Sequence, residues 1–179
     1  MHKDKDAALV KSCLKGDRRA MSQLVSQYQR PVFNAAYRIL GNKDDAADAT
    51  QTVFLKVFEH IGDYDQKFKF FSWVYRIAIN ESLNQVKKRR SQEPLDDGQA
   101  SSWQGPAEEL DADRVCKKVQ DALMSLNVDY RTVVTLKHIS GCSYKQISEI
   151  LQLPEKTVKS RLYSARQLMK KSLLADENQ

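Results

Sequence analysis

The chain has 179 residues, enough for one sizeable domain or two small ones. Hydrophobic residues make up 41% of it, while glycine and proline number only six and four, which excludes a disordered chain and disfavours a turn-rich β fold. The net charge of +6 is unevenly spread: residues 1–90 hold 17 basic and 10 acidic side chains (net +7), residues 91–115 hold 1 and 7 (net −6), and residues 116–179 hold 11 and 6 (net +5). Two basic lobes around an acidic bridge suit a polyanion, because each Lys or Arg near a phosphate releases counterions. Charge alone fits ordinary solvated helix faces equally well. No apolar run approaches the roughly 20 residues needed to cross a bilayer. The opening MHKDKDAALVKS has no apolar core segment, so neither membrane insertion nor a secretory signal is expected. Cys13, Cys116 and Cys142 form no CxxC pair and no zinc spacing, which suggests reduced thiols in the cytoplasm.

In chain order, Leu9, Val10, Cys13 and Leu14 recur at helical spacing, and Gly16-Asp17 ends that segment, with Asp17 able to cap the next. Met21, Leu24, Val25 and Tyr28 predict a second helix that resumes after Pro31 with Phe33, Ala36, Tyr37 and Leu40, and Gly41 ends it. Asn42 or Asp44 starts a third through Val53, Phe54, Val57, Phe58 and Ile61, closed by Gly62. The loop GDYDQKFKF follows, then a helix from about Ser72 to Arg90. Residues 91–112 hold two of the prolines and two of the glycines, carry most of the local acid and lack apolar periodicity; they read as a flexible acidic linker with Trp103 as its odd member. Helices are expected at Asp113–Leu126 and Tyr130–Ile139. Ser143 and Gln146 can form a capping box for a short helix through Ile147, Ile150 and Leu151. Gln152-Leu153 turns the chain, and Pro154 suits the start of a last helix with the apolar stripe Val158, Leu162, Ala165 and Met169. The expected fold is therefore all-α: a helical domain over 1–90, a linker over 91–112 and a helix-turn-helix domain over 113–179.

Two constellations carry chemistry. The last helix turns Lys156, Lys159, Ser160 and Tyr163 away from its apolar stripe, where a recognition helix would meet base edges. Arg161, Arg166, Lys170 and Lys171 could grip phosphate; the bland alternative is a solvated basic helix. The second constellation is KFKFFSWVYRIAINESLNQVKKRR, with Phe68, Phe70, Phe71, Trp73 and Tyr75 inside eight residues and four cations at its end. Tyr75, Ile79, Leu83 and Val86 make an apolar face. Arg76, Asn80, Asn84 and Lys87 share roughly a quarter of the helical wheel at about 100° per residue. Amides between cations can read base edges, and the rings with Tyr64 and Lys67 suit unstacked bases, each stack contributing about 1–3 kcal/mol. Phe70, Phe71 and Trp73 fit the core of a small lobe as well. An enzyme is not expected: His2, His60 and His138 lie far apart, with no HExxH, P-loop or nucleophile elbow. Asp44, Asp45 and Asp48 could bind a metal but fit helix N-terminal charge better, and no cofactor is expected.

LVSQYQRPVFNAAYRIL, DDAADATQTVFLKVF, FFSWVYRIAIN with its basic tail, and YRTVVTLKHISGCSYKQISEILQLPEKTVKSRLYSARQLM, in that order, resemble a sigma factor of bacterial RNA polymerase, of the small extracytoplasmic-function (ECF) group with regions 2 and 4 only. The resemblance covers nearly the whole chain and implies a promoter-specificity subunit. It implies that Asp48, Gln51 and Phe54 dock on the clamp helices of the polymerase's largest subunit, β′. It implies that the Gly62–Phe70 loop captures a flipped base of the −10 non-template strand, with Tyr64, Lys67, Phe68, Trp73, Arg76, Asn80, Asn84 and Lys87 forming the −10 grip. It implies that Lys159, Ser160 and Tyr163 read −35 duplex, beside which Lys156, Arg161 and Arg166 are candidate phosphate contacts, and that the partners are core polymerase, promoter DNA and an anti-sigma factor. Thr52, Asn127, Gln152, Lys156 and Ser164 depart from the family's usual residues. The rival reading is a stand-alone dimeric helix-turn-helix regulator, which leaves Asp44–Ile61 and the aromatic–amide helix without a task.

Overall fold

The structure, a computed structural model, describes residues 3–92 and 111–176. Four helices form the N-terminal lobe: α1 (Lys3–Cys13), α2 (Arg18–Leu40), α3 (Lys43–Glu59) and α4 (Phe70–Gln92), with a 3₁₀ turn at Ile61–Asp63. The C-terminal lobe holds α5 (Asp111–Met124), α6 (Val128–Val134), α7 (Tyr144–Leu151) and α8 (Glu155–Asp176). Thr135–Ile139 continues α6 as a wider π turn. No helix among the described residues is long and apolar enough to cross a membrane.

The caps explain the boundaries. Asp17 accepts from the backbone N–H of Arg19 and Ala20, and Asn42 from those of Asp44 and Asp45. Asn127, where the family often has Pro, accepts from Tyr130 N–H and so starts α6 two residues earlier than expected. Ser143 and Gln146 make both bonds of the capping box. Pro31 does not break α2, contrary to expectation. Its local cost of about 3 kcal/mol is offset because Tyr28, Val32, Ala35 and Ala36 around it are buried by the neighbouring helices. The helix α4 starts at Phe70 and ends at Gln92, two residues beyond each predicted end. Most of the predicted linker, with Trp103, lies outside the described residues.

The N-terminal core gathers Val10, Leu24, Tyr28, Val53, Phe54, Phe70 and Val74. Asp6, buried on α1, accepts from Tyr28 Oη at 2.7 Å and Gln27 Nε2 at 2.8 Å, which ties α1 to α2. The main finding is at the lobe boundary: Ala35, Ile39, Tyr75 and Ile79 of the first lobe share one core with Leu123, Val133, Leu136, Ile147, Ile150, Val158 and Leu162 of the second. Leu83 and Val86 pack against it from the same face of α4. The apolar face of α4 is thus core, and part of its cover comes from the other lobe. Each fully buried Leu or Ile contributes roughly 1.5–3 kcal/mol, so this contact is a substantial part of the fold.

Polar bonds fix the docking. Arg131 Nη1 donates to the Ile39 carbonyl at 2.6 Å, and its Nε and Nη2 donate to the carbonyls of Leu123, Met124 and Leu126. Arg38 donates to Gln120 Oε1, and Gln120 Nε2 to the Tyr37 carbonyl. Gly41 ends α2 at φ 77°, and a Cβ there would meet Met124 of α5 at 2.8 Å. The turn therefore needs glycine for its left-handed backbone, while the Met124 contact involves only the end of a flexible side chain that could shift.

Candidate nucleic-acid interface

Helix α8 presents the expected face. Val158, Leu162 and Ala165 are buried, while Lys156, Lys159, Ser160, Tyr163 and Arg166 are exposed. Tyr163 stands out with 67% of its surface exposed. Lys159 Nζ sits 5.5 Å from the Tyr144 ring centroid and Lys137 Nζ sits 4.7 Å from it, so one ring steadies two cations at the front of the helix. The turn before α8 forces Gln152 to φ 54°, the left-handed shape its sequence position demands. Arg161 departs from expectation: it is half-buried, and its Nη2 pairs with Asp129 Oδ2 at 3.0 Å. That pair holds α8 to the start of α6, so Arg161 is not a free phosphate contact here. Arg166 donates to His138 Nε2 at 3.2–3.3 Å. Burial lowers the His138 pKa, and the charges of Arg166 and Lys137 lower it further, which favours the neutral ring that can accept this bond.

Around α4 the aromatics divide. Phe70 is core, Phe71 stacks on Tyr75 with centroids 4.2 Å apart, and Tyr64 and Trp73 are half-buried against Phe70 at 5.2 and 5.6 Å. Tyr64 Oη donates to the Phe68 carbonyl at 2.7 Å, closing the loop that carries Lys67 and Phe68 outward; Phe68 is 48% exposed. Trp73, Asn80 and Asn84 line one cleft of about 320 Å³ between α4 and the end of α3. Lys56, His60, Asp63, Ile77 and Glu81 complete it, and none of these five was expected at a nucleic-acid face from the sequence. The signal was available for Ile77 and Glu81, which extend the Trp73–Asn80–Asn84 face at helical spacing. The wall from α3 depends on tertiary packing. Arg76 is placed differently from its neighbours: its Nη2 donates to the Glu149 carbonyl at 2.8 Å, across the lobe boundary, and its Nε is buried without a partner. Of the terminal cations, Lys87, Lys88 and Arg90 are exposed and Arg89 pairs with Asp45 of α3.

On α3, Asp48 and Gln51 are exposed. Phe54 is corrected: it is only 8% exposed and packs in the N-terminal core, because its helical position points between α2 and α4. The exposed apolar residue on that helix is Leu55, at 65%. Asp44, Asp48, Gln51, Leu55 and Glu59 recur at steps of four and three and form one exposed acidic stripe with a hydrophobic centre. Leu55 was legible as the member of that stripe four residues from each of its neighbours, Gln51 and Glu59.

Comparisons with known proteins identify the family. Residues 24–92 match the family described as Sigma-70 region 2, and residues 116–169 match Sigma-70, region 4. The ECF RNA polymerase sigma factor SigW of Bacillus subtilis is 30% identical over 177 residues, spanning 92% of this chain and 94% of SigW. The RNA polymerase sigma-H factor of Pseudomonas aeruginosa is 30% identical over 182 residues, spanning 95% and 94%. Among solved structures, CnrH in complex with the cytosolic domain of CnrY has a TM-score of 0.76 at 25% identity, covering 96% of this chain and 98% of that one. RpoE of Bartonella quintana, solved with the anti-sigma factor NepR, shares the fold with a TM-score of 0.71 at 22% identity, covering 87% and 97%. With both regions present in order, and with relatives aligned over nearly their full lengths, the chain belongs to the ECF sigma factors, the promoter-specificity subunits of bacterial RNA polymerase.

Proposed function

We propose that this chain loads onto core polymerase through the exposed stripe of α3, with Asp48, Gln51 and Leu55 against the β′ clamp helices. The N-terminal turns of α8 then read −35 duplex through Lys159, Ser160 and Tyr163, with Lys156 and Arg166 toward phosphate. The Tyr64–Phe68 loop and the cleft at Trp73, Asn80 and Asn84 hold the opened −10 strand, while Lys67 and Lys87 supply charge. Trapping an unstacked base offsets part of the melting cost, a few kcal/mol per flipped base. The chain contributes specificity and strand capture in the cytoplasm, and no bond chemistry of its own. An anti-sigma factor fits as the restraining partner, in line with the complexes in which CnrH and RpoE were solved.

The observation that carries this reading is that one chain presents two different nucleic-acid faces, a basic helix suited to a groove and an aromatic–amide cleft suited to bases out of the stack. The reading has a mechanical consequence. Promoter elements centred about 25 base pairs apart lie roughly 85 Å apart at about 3.4 Å per pair. A compact chain of this length has a radius of gyration of about 16 Å. The docked lobes therefore cannot hold both elements, and the core between α4 and α7 must open on loading. The 18 residues between Gln92 and Asp111 can reach about 60 Å when extended, enough for the lobes to separate to that degree. Opening would also release Arg76 from the Glu149 carbonyl and return it to the −10 face. Run-off transcription with purified core polymerase and a pool of promoter fragments tests the reading. Discrete transcripts that require this chain are expected. Duplex binding without polymerase, and no transcripts, would instead favour a stand-alone regulator.

A further inference from the structure

The cleft between α3 and α4 has an unusual lining for a nucleic-acid site. Lys56 Nζ donates to Glu81 Oε2, and the Glu81 side chain is only 13% exposed. His60 Nδ1 meets Asp63 Oδ2 at 3.1 Å, and both residues line the same cleft. Two carboxylates thus line this space together with the half-buried ring of Trp73 and the exposed amides Asn80 and Asn84. Phosphate is repelled by such a lining, and the nearest cation is already engaged by Glu81. What fits is the edge of a base with its plane toward Trp73.

We propose that Glu81 is a specificity-determining residue of this cleft, selecting against thymine, the base that carries no exocyclic amine, at the captured position of the opened strand. The inference rests on the proposal that the cleft holds −10 single strand. The chemistry is one-sided. An ionised carboxylate only accepts, and with Oε2 held by Lys56, Oε1 is left to accept from the N6 amine of adenine or the N4 amine of cytosine. Both bases place a ring-nitrogen acceptor beside that amine, where the Asn80 or Asn84 amide can donate. Guanine can offer its N2 amine and N1–H to the same oxygen, whereas thymine has no exocyclic amine and flanks its one N–H with two carbonyls, so O4 or O2 would meet the carboxylate, acceptor against acceptor. Lys56 is the positioning residue: it fixes the carboxylate rather than touching the base.

The test uses holoenzyme assembled from the full chain and core polymerase, with promoter DNA whose non-template −10 bases are changed one at a time to each of the four. The wild type is expected to favour adenine or cytosine over thymine at one position by about tenfold in open-complex yield. Glu81→Gln, which keeps the shape and adds a donor, is expected to reduce that ratio to within about twofold while −35 dependence stays unchanged. A wild-type chain tested on DNA lacking only the amine, purine for adenine or 2-pyrimidinone for cytosine at that position, should lose as much as Glu81→Gln does. This arm needs no altered protein, so it holds even where the variant assembles poorly. Glu81→Gln retaining the full preference, or amine-deleted bases binding as well as their parents, would overturn the role of Glu81. If Asn80→Ala and every −10 base change leave strand opening untouched, the single-strand reading of the cleft itself has failed, which is a separate outcome.

Discussion

Arg131 buries its guanidinium among carbonyl oxygens at the ends of two helices, donating to Ile39 of α2 and to Leu123, Met124 and Leu126 around the end of α5. Helix C-termini leave carbonyls unsatisfied, and a planar cation with five donors can meet several at once. Burial pushes the Arg131 pKa down from its ordinary value, and repulsion from Arg90 adds to this. Arg131→Met is expected to lower stability by about 3 kcal/mol in urea unfolding, because the carbonyls stay buried without donors. Arg131→Lys should recover little of it, since one ammonium cannot cover the fork. Gln152 makes the opposite case. Its left-handed backbone is costly for any side chain with a Cβ, so Gln152→Gly should raise the urea midpoint by the equivalent of about 0.5–1 kcal/mol. The position of this turn was legible from the sequence, as were the caps at Asp17, Asn42 and Ser143, because capping is a contact between residues two or three apart. Arg131 was not, because one of its carbonyls, that of Ile39, lies 92 residues away in the chain.

At the scale of elements, the π turn at Thr135–Ile139 is tied to α8 by the His138–Arg166 contact. His138 titrates below its ordinary 6.5, chiefly through burial and then through Arg166 and Lys137. As pH falls below 6.5, the unfolded chain takes up this proton before the folded one does. The stability supplied by the neutral ring is therefore complete above 6.5 and is lost as pH drops toward the lower folded-state value. The melting temperature should fall more steeply between pH 7.5 and 5.5 in the wild type than in His138→Gln, measured side by side. A parallel slope in the two proteins would show that the contact does not sense the proton. Element type was readable from periodicity throughout, whereas the continuity of α2 through Pro31 was not. Proline's penalty is local and visible, but the burial that outweighs it is made by helices distant in sequence.

For the whole molecule, the shared core makes a claim about the free chain. Two independent lobes on a tether would give a large and variable radius of gyration, while the docked arrangement should give about 16–18 Å by small-angle X-ray scattering. Addition of core polymerase should separate the lobes, which labels on α3 and α8 would report as a loss of energy transfer. A free chain already extended in solution would remove the docked state from the loading pathway.

The sequence by itself determined the all-helical class, the two lobes, the basic face of α8, the amide face of α4 and the family. Each of these is written along the sequence itself: a 3.6-residue period, a cap, a charged or amide face within one helix, or the order of four motifs along the chain. Only the tertiary structure decided that Phe54 is core and Leu55 the exposed apolar neighbour, that Arg161 is committed to Asp129, and that Arg76 and the apolar stripe of α4 meet the second lobe. It also decided that Lys56 and His60 of one segment close a cleft around the Trp73–Asn84 face of another. A helical pattern shows which residues share a face, but what covers that face depends on how elements far apart in the chain come together to bury apolar surface.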